Sequence, residues 1–320
     1  PRRYPVNSIQ CHLFKTKTLP DISREDVPEK SIFFHETSCS SDLSGKIVIS
    51  SRQACSVESA AKLNPNFGVY LLYLSPGTLK FEGSESDRFL QALLTYRNVK
   101  IRHLDFETYV ENSPVERLFK EGKIERSEYA ISHVSDVLRY LTLWKYGGIY
   151  LDLDLVVIKS LEKLPFNYAG AESTSFVAAG VVSFTQKGMG HHLATLCLKD
   201  LEFNFNGKKW GNNGPGVITR LSRFICATNN TEEMTKKKCL GDFRVYPSET
   251  FYPVIYQDWS MYFDVYSVKK AKNLTKNSYV VHVWNKLSSK KKVPVNVEVP
   301  YTFFARKYCP KVFRECEENF

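Results

Sequence analysis

Two aspartates one residue apart, Asp152 and Asp154, sit in the otherwise apolar run "KYGGIYLDLDLVV" of residues 145–157. Read as a single strand, the run puts Tyr150, Asp152 and Asp154 on one face and Leu151, Leu153 and Leu155 on the other. Two carboxylates on one face repel each other unless a cation lies between them. Hard divalent ions such as Mn²⁺ or Mg²⁺ take oxygen ligands and are commonly shared with substrate phosphates. The pair therefore predicts a metal–diphosphate clamp at a strand end. Two solvated acids on an edge strand are the bland alternative, but Ile149, Leu155, Val156 and Val157 call for a central strand.

The elements around the pair must present it at a rim. Upstream, Val134, Val137, Leu138 and Leu141 recur with helical spacing, Ser132 or Ser135 is available to cap the start, and Gly147-Gly148 can end the helix. Asp136 and Arg139, three residues apart, share one of its faces. Earlier still, strands are expected in 31–38, 67–75 and 98–105, with a helix over 52–66 between the first two. Strands alternating with helices imply α/β architecture around a mostly parallel sheet, in which ligands bind beyond the carboxyl ends of the strands. The tips "HETS" (35–38) and "DLD" (152–154) would then share one rim. Residues 1–30 read as a stem, and no linker divides the rest.

Two enzyme classes place such acids after a strand. "DLDLVV" satisfies the D-x-D-x-[TV]-[LV] string of aspartyl-nucleophile phosphohydrolases. That motif normally opens its domain, whereas about 150 residues precede it here, and "GDFRVY" (241–246) offers no second acid for the partner motif. The other class is the metal-dependent sugar transferases that use nucleotide-sugar donors. "SDVLRYLTLWKYGGIYLDLD" (135–154) resembles the S-D-x-x-R…G-G-x-Y-x-D-x-D signature of the DXD group of these enzymes. "FHETS", "CSVESAA", "LCLKDLEFNFNGKKWGNNGPGVITR", "FYPVIYQDW" and "VVHVWNK" are similar to segments of the α-1,4-galactosyltransferase family and its invertebrate α-1,4-N-acetylgalactosaminyltransferase relatives. The resemblance covers roughly residues 31–310.

The resemblance implies a single GT-A type Rossmann-like domain with a mostly parallel central sheet flanked by helices. Its nucleotide-binding half would run to about residue 155 and its acceptor side from 156 to 320. It also implies retaining transfer of galactose or N-acetylgalactosamine from a UDP-sugar to a terminal β-linked sugar of a glycosphingolipid. A non-catalytic glycan-binding relative is the third reading. Asp152 and Asp154 would hold Mn²⁺ (or Mg²⁺), with His282 as a further ligand from a late strand. Asp136 and Arg139 would act at the donor sugar and ribose. Glu36, Thr37, Tyr150, Ala179, Gly180 and Trp284 would line the donor site. Asn212, Asn213 and Gly214, in the loop before the helix that Pro215 opens, would face the acceptor together with Asp258 and Trp259. Glu58 is a weaker candidate.

Composition is compatible with this. The chain has 320 residues, 43% of them hydrophobic, enough for a sizeable core, and no apolar run is long enough for a membrane span. Eight cysteines without a C-x-x-C pair favour disulfides over a zinc site, and Cys226 and Cys239 flank a polar stretch that looks like a loop stapled at its base. The sequons at Asn229 and Asn273 point to a secretory lumen as well. With the family comes the expectation of a Golgi enzyme tethered by a type II anchor upstream of Pro1. The net charge of +10 includes lysine runs at 236–238 and 290–292, read as solvated loops or as attraction to a membrane surface or phosphate-bearing ligand. No motif for nucleic acid accompanies the charge.

Overall fold

The computed structural model describes residues 8–16 and 18–320. Among them, strands β1 (Ser31–Glu36), β2 (Gly68–Tyr73), β3 (Val99–His103), β4 (Gly148–Leu151), β6 (Tyr168–Ala171), β7 (Val177–Phe184) and β8 (Arg244–Tyr246) form one sheet in the order β3-β2-β1-β4-β7-β6-β8. Only β7 runs against the other six. A second, two-stranded sheet pairs β5 (Leu155–Val157) with β9 (Val280–His282). The fold is thus the expected α/β arrangement with a mostly parallel sheet.

Both faces of the sheet are covered. Ile32 and Phe34 of β1 face one core, with the helix Ser51–Leu63 and the C-terminal helices, while Phe33 faces the other, with the helices Ala130–Tyr146, Gly188–Asn204 and Pro215–Cys226. Double coverage explains why the central strands read as near-continuous apolar runs, while the edge strand β3 (VKIRH) alternates.

Of residues 1–30, expected as a stem, the described parts 8–16 and 18–30 lie against the domain. Ile9, Ile22 and Val27 are buried in the second core, and Cys11 is bonded to Cys39. The remainder of that segment, residues 1–7 and Lys17, falls outside the described residues. Two further disulfides are formed. Cys226–Cys239 closes the stapled loop as expected, and Cys55–Cys309 ties the helix Ser51–Leu63 to the C-terminus across 254 residues of sequence. Cys197 and Cys316 are buried thiols. Glu58 belongs to the same tie. It accepts from Tyr96 Oη and from the amides of Lys311 and Val312, so it anchors the C-terminal helix.

The helix upstream of the acids begins at Ala130, earlier than the serine caps imply, and Tyr129 at its N-cap makes no side-chain capping bond. Ser132 and Ser135 are therefore inside the helix. Its end is as expected, with Gly147 and Gly148 at φ of 66° and 91°, values that disfavour any side chain. The larger difference is at the acids themselves. β4 stops at Leu151, residues 152–154 form a turn, and β5 leaves for the second sheet. The acids are thus carried by a bend between two sheets, not by one continuous central strand.

Candidate active site

The turn opens on a cavity of about 650 Å³, walled by the tip of β1, the helix Ala130–Tyr146, β7 and the segment after β9. Its floor is a cluster of Asp152, Asp154 and His282, whose ligand atoms all lie within 4.8 Å of one another. The bend brings two carboxylates together, and the β5–β9 pairing sets His282 directly opposite Leu155.

Each member is held. Asp152 Oδ1 accepts from Tyr150 Oη at 2.8 Å and lies 3.2 Å from Arg139 Nη1. Asp154 Oδ2 accepts from the Asn285 amide at 2.8 Å. His282 Nε2 stands 3.3 Å from Asp154 and 3.7 Å from Asp152, while its Nδ1 accepts from the Trp284 amide. Trp284 has a left-handed backbone (φ 54°), packs its ring 4.2 Å from that of His282, and spends its indole N–H on Val254 O. Burial lowers and the two carboxylates raise the affinity of His282 for a proton, with a net shift upward. Burial likewise pushes Asp154 up, whereas at Asp152 burial is outweighed by Arg139, His282 and the Tyr150 hydroxyl together, which hold the carboxyl low. Two carboxylates and an imidazole around one point suit a hard-to-borderline divalent ion such as Mn²⁺, so the residues fit the expected metal.

Asp136 and Arg139 are not a surface pair. Arg139 Nη2 meets Asp136 Oδ1 at 2.9 Å, and its Nη1 donates to Ala179 O at 2.7 Å, all in the buried wall. The guanidinium also lies over the Tyr150 ring, 4.7 Å from its centroid. Burial pushes the Asp136 carboxyl up to about 7 against the pull of Arg139, which is shared with Asp152.

Glu36 and Thr37 end β1 at the cavity, beside His35. Glu36 Oε1 accepts from the Ser38 amide, its other oxygen has no hydrogen-bond partner within the usual distance among the described residues, and burial pushes the carboxyl up to about 7 against Ser38 and Gln53. Ala179 and Gly180 line the wall from β7. A methyl at Gly180 would stand 2.9 Å from Asp152 Oδ2 and 3.3 Å from Tyr252 Oη. Because Asp152 is fixed through its other oxygen, Gly180→Ala is expected to weaken Mn²⁺ binding by about 10-fold, as disturbed supports of metal ligands do. The melting temperature should change little. A calorimetric Mn²⁺ titration measures this, and unchanged affinity would contradict it.

The acceptor-side residues are placed differently from expectation. Asn213 is buried and brackets Asn206 with two backbone hydrogen bonds, while Asn212 ties to Asn204 O and Arg220. Both amides hold their own loop. Gly214 packs against Asp136, and its carbonyl accepts from Tyr140. Asp258 is exposed and Trp259 packs on Phe263; neither lines the cavity. The tyrosine and tryptophan rings that do are Tyr150, Trp210, Tyr252, Tyr256 and Trp284. Lys286 also lines it, its Nζ 3.5 Å over the Trp210 ring. Tyr252, Tyr256 and Lys286 lie in "FYPVIYQDW" and "VVHVWNK", two of the segments that carry the resemblance.

The sequence is similar to that of known proteins. Residues 50–174 match the family described as glycosyltransferase sugar-binding region containing DXD motif, and residues 186–316 match the alpha 1,4-glycosyltransferase conserved region. Lactosylceramide 4-alpha-galactosyltransferase of Rattus norvegicus is 32% identical over 286 residues, 89% of this chain and 75% of that protein. The Mus musculus protein of the same name is 33% identical over 262 residues, 81% of this chain and 70% of that protein. Alpha-1,4-N-acetylglucosaminyltransferase of Homo sapiens is 29% identical over 270 residues, 82% of this chain and 75% of that protein. With these two matches, and relatives at about 30% identity over four fifths or more of its length, the chain belongs to the α-1,4-glycosyltransferase family.

Proposed function

We propose that this protein is a metal-dependent α-1,4-hexosyltransferase. It would move galactose or N-acetylgalactosamine from a UDP-sugar to a terminal β-linked galactose or N-acetylgalactosamine of a glycosphingolipid, with retention at the anomeric carbon. The observation that carries the reading is the Asp152–Asp154–His282 cluster on the floor of a cavity that also holds the buried Asp136–Arg139 pair.

Residues Asp152, Asp154 and His282 would hold Mn²⁺ against the diphosphate. A divalent ion there supplies positive charge for the UDP that departs. The protein's part is preorganisation. Tyr150 and Arg139 aim Asp152, the Asn285 amide aims Asp154, and Trp284 aims His282, so the ligands need no rearrangement. Glu36 and Thr37 at the end of β1 would take the uridine, in the half that runs to about residue 155. Asp136 and Arg139 face the donor sugar, the charge of Arg139 being spent mainly on fixing the two acids. Lys286, without a carboxylate partner at ion-pair distance among the described residues, is a second cation at the cavity. Trp210 and Tyr256 offer ring faces for the acceptor glycan. In a retaining transfer the departing diphosphate can take the proton of the acceptor hydroxyl on the face it leaves.

The phosphohydrolase reading asks for a free aspartyl nucleophile. Asp152 is instead engaged by Tyr150 and Arg139 and faces His282. For location, three disulfides and the exposed Asn229 and Asn273 support a secretory lumen, which in this reading is the Golgi, with the anchor upstream. Among the described residues no helix is long and apolar enough to cross a membrane.

The raised His282 sets a pH dependence. A protonated imidazole cannot ligate, so metal binding must release that proton. Apparent Mn²⁺ affinity is expected to rise with pH as His282 gives up its proton, in a window above the usual histidine range because its pKa is raised, and to lose most of that slope in His282→Gln. Titrations at several pH values measure it, and a flat profile in the unmodified protein would contradict it. The activity itself is tested by offering UDP-Gal, UDP-GalNAc, UDP-GlcNAc and UDP-Glc with Mn²⁺ to lactosylceramide and to GalNAc-terminated acceptors. An α-anomeric product from one of these pairs is expected. Phosphate release from simple phosphoesters, with no sugar transfer, would overturn the reading.

A further inference from the structure

Residues from four neighbouring strands line the cavity. In sheet order they are Glu36 at the end of β1, Asp152 just past β4, Gly180 within β7 and Glu172 just past β6. Adjacent strands lie about 4.8 Å apart, so β1 and β6 are separated by about 14 Å across the sheet. With the base at β1 and the diphosphate at β4, the transferred sugar is left against β7, and the tip of β6 stands next in line, where the acceptor must approach.

Glu172 is half-buried at that tip. The other carboxylates of the cavity are engaged: Asp152 by Tyr150 and Arg139, Asp154 by Asn285, Asp136 by Arg139, Glu36 by Ser38. The Glu172 carboxyl forms no hydrogen bond or ion pair among the described residues, and it feels only the nearby charge of His282. Burial pushes it upward, as expected of an acid lining a partly dry wall. The backbone beside it is fixed by the hairpin bond from the Glu172 amide to Phe176 O, so the side chain is presented from a defined position.

We propose that Glu172 determines acceptor specificity, its carboxylate accepting a hydrogen bond from a hydroxyl or acetamido N–H on the terminal sugar of the acceptor. The proposal rests on the transferase reading above. A carboxylate can only accept there, so it favours acceptors that present a donor at this point and rejects those that present another acceptor atom or nothing.

The test is steady-state kinetics on the full chain with Gal- and GalNAc-terminated acceptors, together with UDP binding in Mn²⁺. Glu172→Ala is expected to raise the acceptor KM by about 10- to 100-fold, the size of a lost hydrogen bond to a charged group. Affinity for UDP and for the donor should be unchanged. Glu172→Gln, which keeps the shape and one acceptor atom, should fall between the two and shift the ratio of Gal- to GalNAc-terminated acceptors used. An acceptor KM unchanged in both variants overturns the proposal and leaves the transferase reading standing. So does a parallel loss of UDP affinity, which would place Glu172 on the donor side. If the unmodified protein binds UDP-sugar but transfers to no acceptor, the transferase reading fails and this proposal falls with it.

Discussion

Asp154→Ala is expected to lower sugar transfer by on the order of 10³-fold or more, the scale reached when charge stabilisation of a leaving group is removed. The fold should survive the change. Asp154 lies in the turn between β4 and β5, and its side chain accepts from the Asn285 amide at the edge of the cavity and faces His282 Nε2 at 3.3 Å. The loss should therefore appear as lost Mn²⁺ affinity and lost turnover with a nearly unchanged melting temperature. The isosteric Asp154→Asn separates charge from shape: it can still accept from Asn285, so a defect of similar size would assign the effect to the missing negative charge. Activity within a few-fold of the unmodified protein in both variants would sink the assignment of Asp154 as a ligand.

Arg139→Met is expected to be the most damaging change to stability in the site. Arg139 is almost fully buried and is the cation between Asp136 and Asp152, while also donating to Ala179 O on β7. Removing one partner of a buried ion pair costs about 3–5 kcal/mol, because the remaining charge is left without compensation. Here two carboxylates are stranded, which places the cost at the upper part of that range at neutral pH. Part of it should be recovered at lower pH, since Asp136 is already pushed up to about 7 by burial and protonates readily once Arg139 is gone. Arg139→Lys keeps a charge but not the planar fork that serves both acids and the carbonyl together, so it should be milder in melting and still impaired in transfer. Denaturant unfolding of the two variants at two pH values measures this. Equal stability of Arg139→Met and the unmodified protein would contradict the account.

Much of the arrangement was legible from local pattern. The period of Val134, Val137, Leu138 and Leu141 locates the helix that carries Asp136 and Arg139, and Gly147-Gly148 locates its end. The polar tips of β1 and of the acid pair do share a rim. What local pattern cannot carry is any feature decided by distant chain. The run "DLDLVV" reads as one strand because its residues alternate well, yet β5 pairs with β9 about 125 residues later, and that pairing bends the chain at the acids. Asp136 and Arg139 have the spacing of an ordinary surface pair. Only packing against β7 and the loop at Gly214 buries them. Similarly, Asn212 and Asn213 look like free amides in a glycine-rich loop, but a loop of that length must satisfy its own buried backbone groups, and the two side chains are consumed in doing so. In "FYPVIYQDW" the aspartate and tryptophan are the residue types suited to binding sugars, whereas the 3₁₀ turn that begins at Tyr256 presents that tyrosine to the cavity and leaves Asp258 and Trp259 outside it. Glu172 carries no motif at all. Its place at the tip of β6 becomes visible only once the strand order is known.

The account stands on a metal-held diphosphate at Asp152, Asp154 and His282. Its most direct test is UDP binding by isothermal calorimetry, with Mn²⁺ and with the metal removed by chelator, in the unmodified protein and in Asp154→Ala. The account predicts UDP binding that depends on Mn²⁺, is abolished by chelation, and is lost in the variant. UDP binding of equal strength with and without metal, unaffected by Asp154→Ala, would contradict it.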